Sequence, residues 1–309
     1  MKIIKPKVKL YDQYDYETIF DQILKAEHEE ALKIESIMFG SRKSLYCTKT
    51  IKYGTQLDCE IFPSFFSRHD LPREKKKERT PEQMRDLNDR NARKMAVRII
   101  NLNFNRDDLW CEFGYDDKHI PPDEETARKD IRNYFRKVNY HRKKLGLPPA
   151  RYFYATEHED EYGNPVRAHH HVIISGDMDR DLLEKLWDKE ERGFSRRVVP
   201  DDFGLKGMAY YITKVRKAKN GKYIKRWGAS KGLKQPKPTK SYSRFSRKKI
   251  RSMVENHNLM KETFEKSYPG YLFQGCEVRT NDINGGIYLY AQLRMIPTQK
   301  DNRRKRKNE

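Results

Sequence analysis

A β-hairpin in the middle of the chain is the feature that most constrains its fold. The segment RYFYATE, Arg151 to Glu157, is rich in aromatic residues, and the turn-forming segment EYGNP follows shortly after it. The next segment, VRAHHHVIIS, is rich in β-branched residues. Aromatic and β-branched runs on either side of a Gly-Asn-Pro turn favour two antiparallel strands. We therefore expect a hairpin whose turn is centred near Gly163.

Three consecutive histidines lie in the second strand of this hairpin, within RAHHHVII from Arg167 to Ile174. Side chains of a strand alternate between its faces, so His169 and His171 share one face and His170 points to the other. Two imidazoles about 7 Å apart, the distance of two strand rises, are well placed to share a metal ion. Taken alone, the segment is also compatible with exposed histidines at a sheet edge.

Glu157 is the expected third member of this site. With the turn in the position given above, antiparallel pairing places Glu157 directly opposite His169 and on the same face. One carboxylate and two imidazoles suit Mg²⁺ or Mn²⁺ that holds a phosphate oxygen, and Zn²⁺ is chemically possible. A slip of one residue would bring in His158 or Thr156 instead, and Glu159 is a further candidate.

A second candidate site lies in the segment MAYYITK, Met208 to Lys214. On a helical wheel the buried stripe consists of Leu205, Met208, Ile212 and Val215. Tyr211 lies at the border of this stripe, and Tyr210 points towards solvent. Lys214 is one turn beyond Tyr211 on the same side. A phenol beside an ammonium group and a metal is a plausible nucleophile, because positive charge favours the phenolate. An ordinary border aromatic with a solvated lysine is the alternative.

The charge of the chain predicts a polyanionic partner. Its 309 residues include 66 Lys and Arg against 45 Asp and Glu, for a net charge of +21. Nucleic acid is the first candidate and an acidic membrane surface the second. Aromatic residues, 12% of the chain, interleave with the basic ones, which suits stacking on single strands. The expected DNA contacts are Arg226, Lys231 and Lys234, with Trp227 as a stacking platform.

Several classes of protein are not indicated. None of the four cysteines lies in a C-x-x-C motif, so neither a zinc ribbon nor a redox pair is predicted, and a reducing cytoplasm is the simplest compartment. Neither a signal peptide nor a transmembrane stretch is recognisable. With nucleic acid preferred over an acidic membrane surface, no membrane partner is expected. The phosphate-binding motif G-x-x-x-x-G-K-[ST] is missing from the sequence, which predicts no nucleotide cofactor.

The order of predicted elements favours an α+β fold. From Asp108 onwards we expect strand, helix, hairpin, helix, strand and helix, which is typical of a central antiparallel sheet with flanking helices. The predicted division is an N-terminal β-rich segment with a connecting helix at residues 1–105, the sheet domain at 106–220 and a basic C-terminal region at 221–309. That last region is expected to contain one helix, from Phe245 to Lys266, and a β-hairpin.

Together, the motifs resemble those of the HUH endonuclease superfamily, the rolling-circle replication initiators (Rep proteins). RAHHHVII resembles its His-hydrophobic-His strand, YITK its Tyr-x-x-Lys helix, LWCEFGY its first motif, and RWGASKGLKQP a recurring segment of a bacterial group. The resemblance covers roughly Leu109 to Pro236. It is closest to single-tyrosine replication proteins of small single-stranded DNA phages and Gram-positive mobile elements. The sequence departs from the family at His170, where a bulky hydrophobic residue is usual, and CEFGY is a loose first motif.

The resemblance implies an HUH/ferredoxin-like palm at residues 106–220 and a nicking mechanism. His169, His171 and Glu157 would hold Mg²⁺ or Mn²⁺, and Tyr211 would attack origin DNA, single-stranded or in a hairpin. The products would be a 5′-phosphotyrosine and a 3′-hydroxyl primer, and the reverse transfer would rejoin the ends. Lys214 would orient the phosphate. A host helicase and polymerase would be partners in the cytoplasm of a bacterial host.

Other functions share parts of this pattern. A transposase or a plasmid-transfer relaxase would use the same chemistry on other DNA. A non-catalytic nucleic-acid-binding protein would need only the basic charge, with structural histidines. A zinc hydrolase acting on another substrate would leave Tyr211 without a role and the charge of +21 unexplained.

Overall fold

The computed structural model describes residues 11–12, 44–65, 81–160, 164–191, 193–213, 227–281 and 286–297. The chain divides into two compact units, Ala92–Pro236 and the combination of Met1–Asn91 with Lys237–Glu309. Each unit has an antiparallel sheet and helices, so the predicted α+β class with a sheet and flanking helices is confirmed.

The elements follow one another along the chain as listed here, and helix α1 crosses the boundary between the units. The strands are β1 Tyr11–Asp12, β2 Ser44–Tyr53, β3 Gln56–Phe65, β4 Leu109–Phe113, β5 Tyr152–Glu159, β6 Pro165–Ile174, β7 Phe194–Arg197, β8 Trp227–Ala229, β9 Pro238–Ser241, β10 Tyr271–Asn281 and β11 Gly286–Met295. The helices are α1 Pro81–Asn103, α2 Glu124–Lys144, α3 Arg180–Lys185, α4 Lys206–Ile212, α5 Arg247–Glu255 and α6 His257–Ser267.

The histidine strand is the central strand of the Ala92–Pro236 unit. The sheet has the order β7-β4-β6-β5-β8, so β6 is paired on both sides. Its β-branched end, Val172 to Ile174, is fully buried, as expected of a strand covered on both faces. A strand in this position has little freedom to move, which fixes the direction of every side chain that it carries.

Helix α2 covers one face of this sheet. Its predicted apolar stripe of Ile131, Phe135 and Val138 is buried in one core with Cys111 of β4 and Val172 of β6. Asp123 caps the helix by accepting a hydrogen bond from the backbone N–H of Thr126, and basic residues occupy its last turn, where they complement the helix dipole. Among the described residues, no helix combines the length and apolarity needed to cross a bilayer.

The predicted register of the central hairpin is confirmed. Glu157 of β5 pairs with His169 of β6, and the neighbouring pair is Thr156 with His170. The turn itself, including Gly163, lies outside the described residues. The register shifts only beyond Glu157, before the last described pair, Glu159 with Pro165. The alternating faces of the strand are therefore set as the sequence predicts, without a one-residue slip.

The second unit is built from both parts of the chain that flank the first. Its sheet has the order β10-β11-β3-β2-β9, with β1 paired to β3. The hairpin of β2 and β3 turns at Gly54, whose φ of 59° is costly for other residues. Strand β11 hydrogen-bonds to β3, as in the pair of Ala291 and Cys59. Helices α5 and α6 contribute Ile250 and Phe264 to its core.

This grouping differs from the division predicted at residues 1–105, 106–220 and 221–309. The pairing of β11 with β3 joins the N-terminal and C-terminal segments in one sheet. Strand β8 pairs with β5 and so extends the histidine-bearing unit to Pro236. Neither pairing is visible in the sequence, because both join segments that are distant along the chain.

The single helix predicted from Phe245 to Lys266 is wrong, since the structure has two helices there. The backbone of Asn256 is extended, with φ −134° and ψ 98°, and its side chain accepts a hydrogen bond from the N–H of Asn258. Asparagine favours helix ends because its side chain competes for backbone hydrogen bonds. The residue thus ends α5 and caps α6.

Substitution of Gly228 should destabilise the histidine-bearing unit. Gly228 pairs with Tyr154, and a Cβ at this position would lie 2.5 Å from Cε1 of the tyrosine ring. That ring packs against Phe135, with the ring centroids 5.3 Å apart, so it has little room to retreat. We expect Gly228→Ala to lower the free energy of unfolding by about 1–3 kcal/mol, measured by urea denaturation.

The matched control for this substitution is Gly275→Ala in β10. A Cβ there would meet no described atom within 4 Å. Its effect should stay within about 0.5 kcal/mol. Equal unfolding midpoints for Gly228→Ala and the unmodified protein would contradict the close packing of β8 on β5.

Candidate functional site

Glu157, His169 and His171 meet on one face of the central hairpin. The Nε2 atom of His169 lies 3.2 Å from Oε2 of Glu157, and Nε2 of His171 lies 3.6 Å from Oε1. One ligand atom from each of the three residues lies within 4.8 Å of the other two. The pairing of β5 and β6 produces this cluster directly, because Glu157 and His169 are register partners and His171 is two residues along. The three side chains could hold a metal ion.

The hydrogen bonding of the histidines fits such an ion. Both ring nitrogens of His171 are buried and have no hydrogen-bond partner among the described residues, which is costly unless another ligand satisfies one of them. Nδ1 of His169 lies 2.9 Å from the carbonyl oxygen of Arg167. A carbonyl only accepts, so Nδ1–H donates and Nε2 keeps its lone pair for a metal.

The cluster is partly open to solvent. The exposed fraction of the side chain is 2% for His171, 12% for Glu157 and 33% for His169. Three protein ligands leave coordination positions for water or a substrate, as in catalytic rather than structural metal sites. A ligand could therefore approach a bound ion from the side of His169.

His170 is not part of the cluster. As predicted from the alternation of the strand, it points to the opposite face, where it is fully buried. Its Nε2 atom lies 2.9 Å from the hydroxyl of Tyr115, and its Nδ1 atom lies 3.0 Å from the hydroxyl of Thr156. Burial, with a smaller contribution from the neighbouring histidines, lowers the pKa of His170 to about 3. It is therefore a neutral core residue, and its two hydrogen bonds explain why histidine is tolerated there.

Tyr211 lies beside the histidine cluster. The centroid of its ring is 4.8 Å from that of His171 and 5.8 Å from that of Trp110. The residue is 44% exposed, so an incoming molecule has access to it. Helix α4 holds this position because its other side is buried at Leu205 and Ile212, as predicted. Met208, expected in the same stripe, is only half-buried.

Helix α4 is anchored to α1 by polar contacts. The side-chain oxygen of Asn101 accepts a hydrogen bond from the backbone N–H of Leu205 at 2.8 Å. At the other end, the guanidinium of Arg93 donates to the carbonyl oxygen of Thr213 at 2.9 and 3.2 Å. Both ends of a short helix are thus fixed, which orients Tyr211 relative to the sheet. Lys214, predicted to assist Tyr211, lies outside the described residues.

Trp110 and Glu112 complete the surroundings of His171, and neither was identified from the sequence. The indole of Trp110 stacks on the His171 ring with the centroids 5.5 Å apart and an interplanar angle of 23°. Its Nε1–H donates to Oε1 of Glu112 at 2.9 Å, and Glu112 is the register partner of His171. The alternation within LWCEF places both residues on one face and could have indicated them. Their packing limits rotation of the His171 ring.

The predicted DNA contacts divide into three outcomes. Arg226 lies outside the described residues. Trp227 is half-buried in the edge strand β8 and stacks on Phe153 with the centroids 4.8 Å apart, so part of its ring surface is occupied. Lys231 and Lys234 are exposed after β8, and the backbone of Lys234 exchanges two hydrogen bonds with the side chain of Asn103. Binding of DNA by these residues stays a prediction.

No protein-family model matches the chain, and no curated protein or solved structure shows significant similarity to it. The resemblance of RAHHHVII and YITK to HUH motifs therefore stays a prediction. The two segments are separated by more than thirty residues in the sequence. In the structure the rings of His171 and Tyr211 lie together, with their centroids 4.8 Å apart.

Loss of a cluster residue should abolish tight binding of divalent metal. We expect His171→Ala and the nearly isosteric Glu157→Gln each to weaken Mn²⁺ binding about 100-fold or more, because even outer-shell changes cost 10–100-fold. Isothermal titration calorimetry on the full chain would measure this. His119→Ala is the control, since His119 is an exposed histidine bonded to Asp116. Unchanged Mn²⁺ affinity in both cluster variants would contradict the assignment.

Proposed function

We propose that this protein is a metal-dependent, single-tyrosine DNA endonuclease of the HUH type, which nicks an origin to start rolling-circle replication and later rejoins the ends. The observation that carries the proposal is the contact of Tyr211 with His171, 4.8 Å between ring centroids, next to a cluster that could hold a metal ion. A nucleophile beside a metal site that is open to solvent is an arrangement suited to phosphoryl transfer.

Glu157, His169 and His171 would hold Mg²⁺ or Mn²⁺ in this site. When bound, the ion would supply Lewis-acid polarisation of an oxygen of the scissile phosphate. The residues around the cluster limit its motion. Stacking by Trp110 holds the His171 ring, and the carbonyl of Arg167 orients His169. Preorganised ligands spend little free energy on reorganisation when a phosphate arrives.

Tyr211 would be the nucleophile. Its phenolic oxygen gives up its proton and forms a bond to phosphorus, the bond from phosphorus to the 3′ oxygen breaks, and the departing 3′ oxygen takes up one proton. The products are a 5′-phosphotyrosine and a 3′-hydroxyl that primes DNA synthesis. The covalent bond conserves the energy of the phosphodiester, so attack by a 3′-hydroxyl reverses the reaction and joins ends without ATP. Lys214 would stabilise charge on the tyrosine oxygen and orient the phosphate.

The net charge of +21 supports DNA as the substrate. A polyanion bound through many lysines and arginines releases counterions, so affinity should fall steeply with salt. The sequence lacks a phosphate-binding loop of the ATPase type, so unwinding is assigned to a host helicase and extension to a host polymerase. The bacterial cytoplasm is the proposed compartment. A transposase or relaxase would share the same site chemistry and differ in the fate of the cut strand.

Tyr211→Phe should abolish formation of the covalent adduct, because phenylalanine retains the ring and lacks the attacking oxygen. The expected fall in rate is on the order of 10⁴ or more. The assay uses labelled single-stranded fragments of the encoding element with Mn²⁺, with and without chelator, and follows the protein–DNA adduct on denaturing gels. Tyr140→Phe, an exposed tyrosine on α2, is the matched control and should retain adduct formation.

Two outcomes would contradict this assignment. An adduct that persists in Tyr211→Phe and disappears in Tyr210→Phe would make Tyr210 the nucleophile. Binding of DNA without cleavage of any fragment would favour a non-catalytic nucleic-acid-binding protein.

A further inference from the structure

A cluster of exposed aromatic and half-buried basic side chains lies on helices α1 and α4 and in the loop before α4. We call it the aromatic–cation patch, and it consists of Phe203, Lys206, Tyr210 and Arg93. Phe203 is 44% exposed and Tyr210 is 42% exposed. Nζ of Lys206 lies 5.3 Å from the centroid of Phe203 and 5.7 Å from that of Tyr210. Cζ of Arg93 lies 5.4 Å from the centroid of Tyr210.

The backbone around the patch is held in place. The N–H of Phe203 donates to the carboxylate of Asp201 at 2.7 Å, and Asp201 and Gly204 exchange two backbone hydrogen bonds. Arg93 is fixed by its bonds to the carbonyl of Thr213. The aromatic rings are therefore presented by ordered backbone and need little reorganisation to accept a ligand.

The exposure of these rings is not explained by packing of the core. Helix α4 turns Leu205, Ala209 and Ile212 inwards, and Phe203 and Tyr210 stay partly exposed outside that core. Aromatic rings that alternate with cations match the two parts of a polynucleotide, since bases stack on the rings and phosphates bind the cations. Only unpaired bases present their faces in this way, so the chemistry fits a single strand rather than a duplex.

We infer that the aromatic–cation patch is a stacking subsite for unpaired nucleotides of the strand whose phosphate Tyr211 would attack. Tyr210 and Tyr211 are consecutive residues of α4. Their side chains leave the helix about 100° apart, so a strand that reaches Tyr211 has to pass around the helix surface to cover Tyr210. This inference rests on the proposed function for the position of the scissile phosphate. It adds a subsite that binds nucleotides by stacking on their bases. Binding to this subsite does not require cleavage of the strand.

The test compares two oligonucleotides of equal charge. One is an oligothymidylate of about 12 nucleotides, within the range bound by single-strand modules, and the other is an abasic strand of the same length. Fluorescence anisotropy measures both affinities for the full chain in the presence of chelator, so that no cleavage intervenes. Because its bases can stack on the patch, the oligothymidylate should bind at least about tenfold more tightly than the abasic strand.

Variants of the patch should remove this preference for bases. We expect Tyr210→Leu and Phe203→Leu each to lower the ratio of the two affinities several-fold, and Tyr210→Phe to retain it, because the ring is conserved. Lys206→Gln should lower the affinity for both oligonucleotides by the same factor and reduce the salt dependence of that affinity. The control is Tyr140→Leu, which removes another exposed tyrosine with a lysine over its ring, 4.5 Å away, and should keep the ratio.

The outcomes separate this inference from the proposed function. A ratio that is unchanged in both leucine variants would overturn the inference, even if Tyr211 still forms the adduct. A ratio that depends on the patch supports the subsite, and adduct formation then decides independently whether the bound strand is also cut.

Discussion

The antiparallel pairing of β5 with β6 is the constraint on which the candidate site depends. A strand has a side-chain period of two, so a single register decides at once which histidines face the cluster and which carboxylate meets them. The pairing of Glu157 with His169 sets that register, and the position of β6 between two strands prevents a slip. His171 then faces Tyr211 and Trp110, and His170 enters the core.

The parts of the site that depend on local geometry could be predicted from the sequence. The separation of His169 and His171 from His170 follows from alternation, and the place of Glu157 follows from the turn-forming residues between the strands. The position of Tyr211 at the border of a buried stripe follows from helical period, although Met208 is less buried than that stripe implies. In each case the residues involved are close in sequence or joined by one short turn.

The parts that depend on distant segments could not be predicted in this way. Pairing of β11 with β3 joins segments from opposite flanks of the histidine-bearing unit, and nothing in either hairpin indicates its partner. Stacking of Trp110 on His171 requires that β4 lies beside β6, and the grouping of Arg93 with Tyr210 requires contact between α1 and α4. The helix break at Asn256 was missed because apolar spacing continues across it.

The closure of one sheet by both flanks of the chain has a consequence for synthesis on the ribosome. Residues of the Ala92–Pro236 unit are contiguous, so this unit can fold as soon as it has been released from the exit tunnel. Strand β1 pairs only with the end of β3, at Ser64 and Phe65, so the second edge of β3 from Gln56 to Ile61 stays uncovered until β11 has been made. During that interval the nascent chain exposes an unpaired strand edge. Such an edge can bind chaperones, and it can pair with the same edge of a neighbouring nascent chain and so start aggregation.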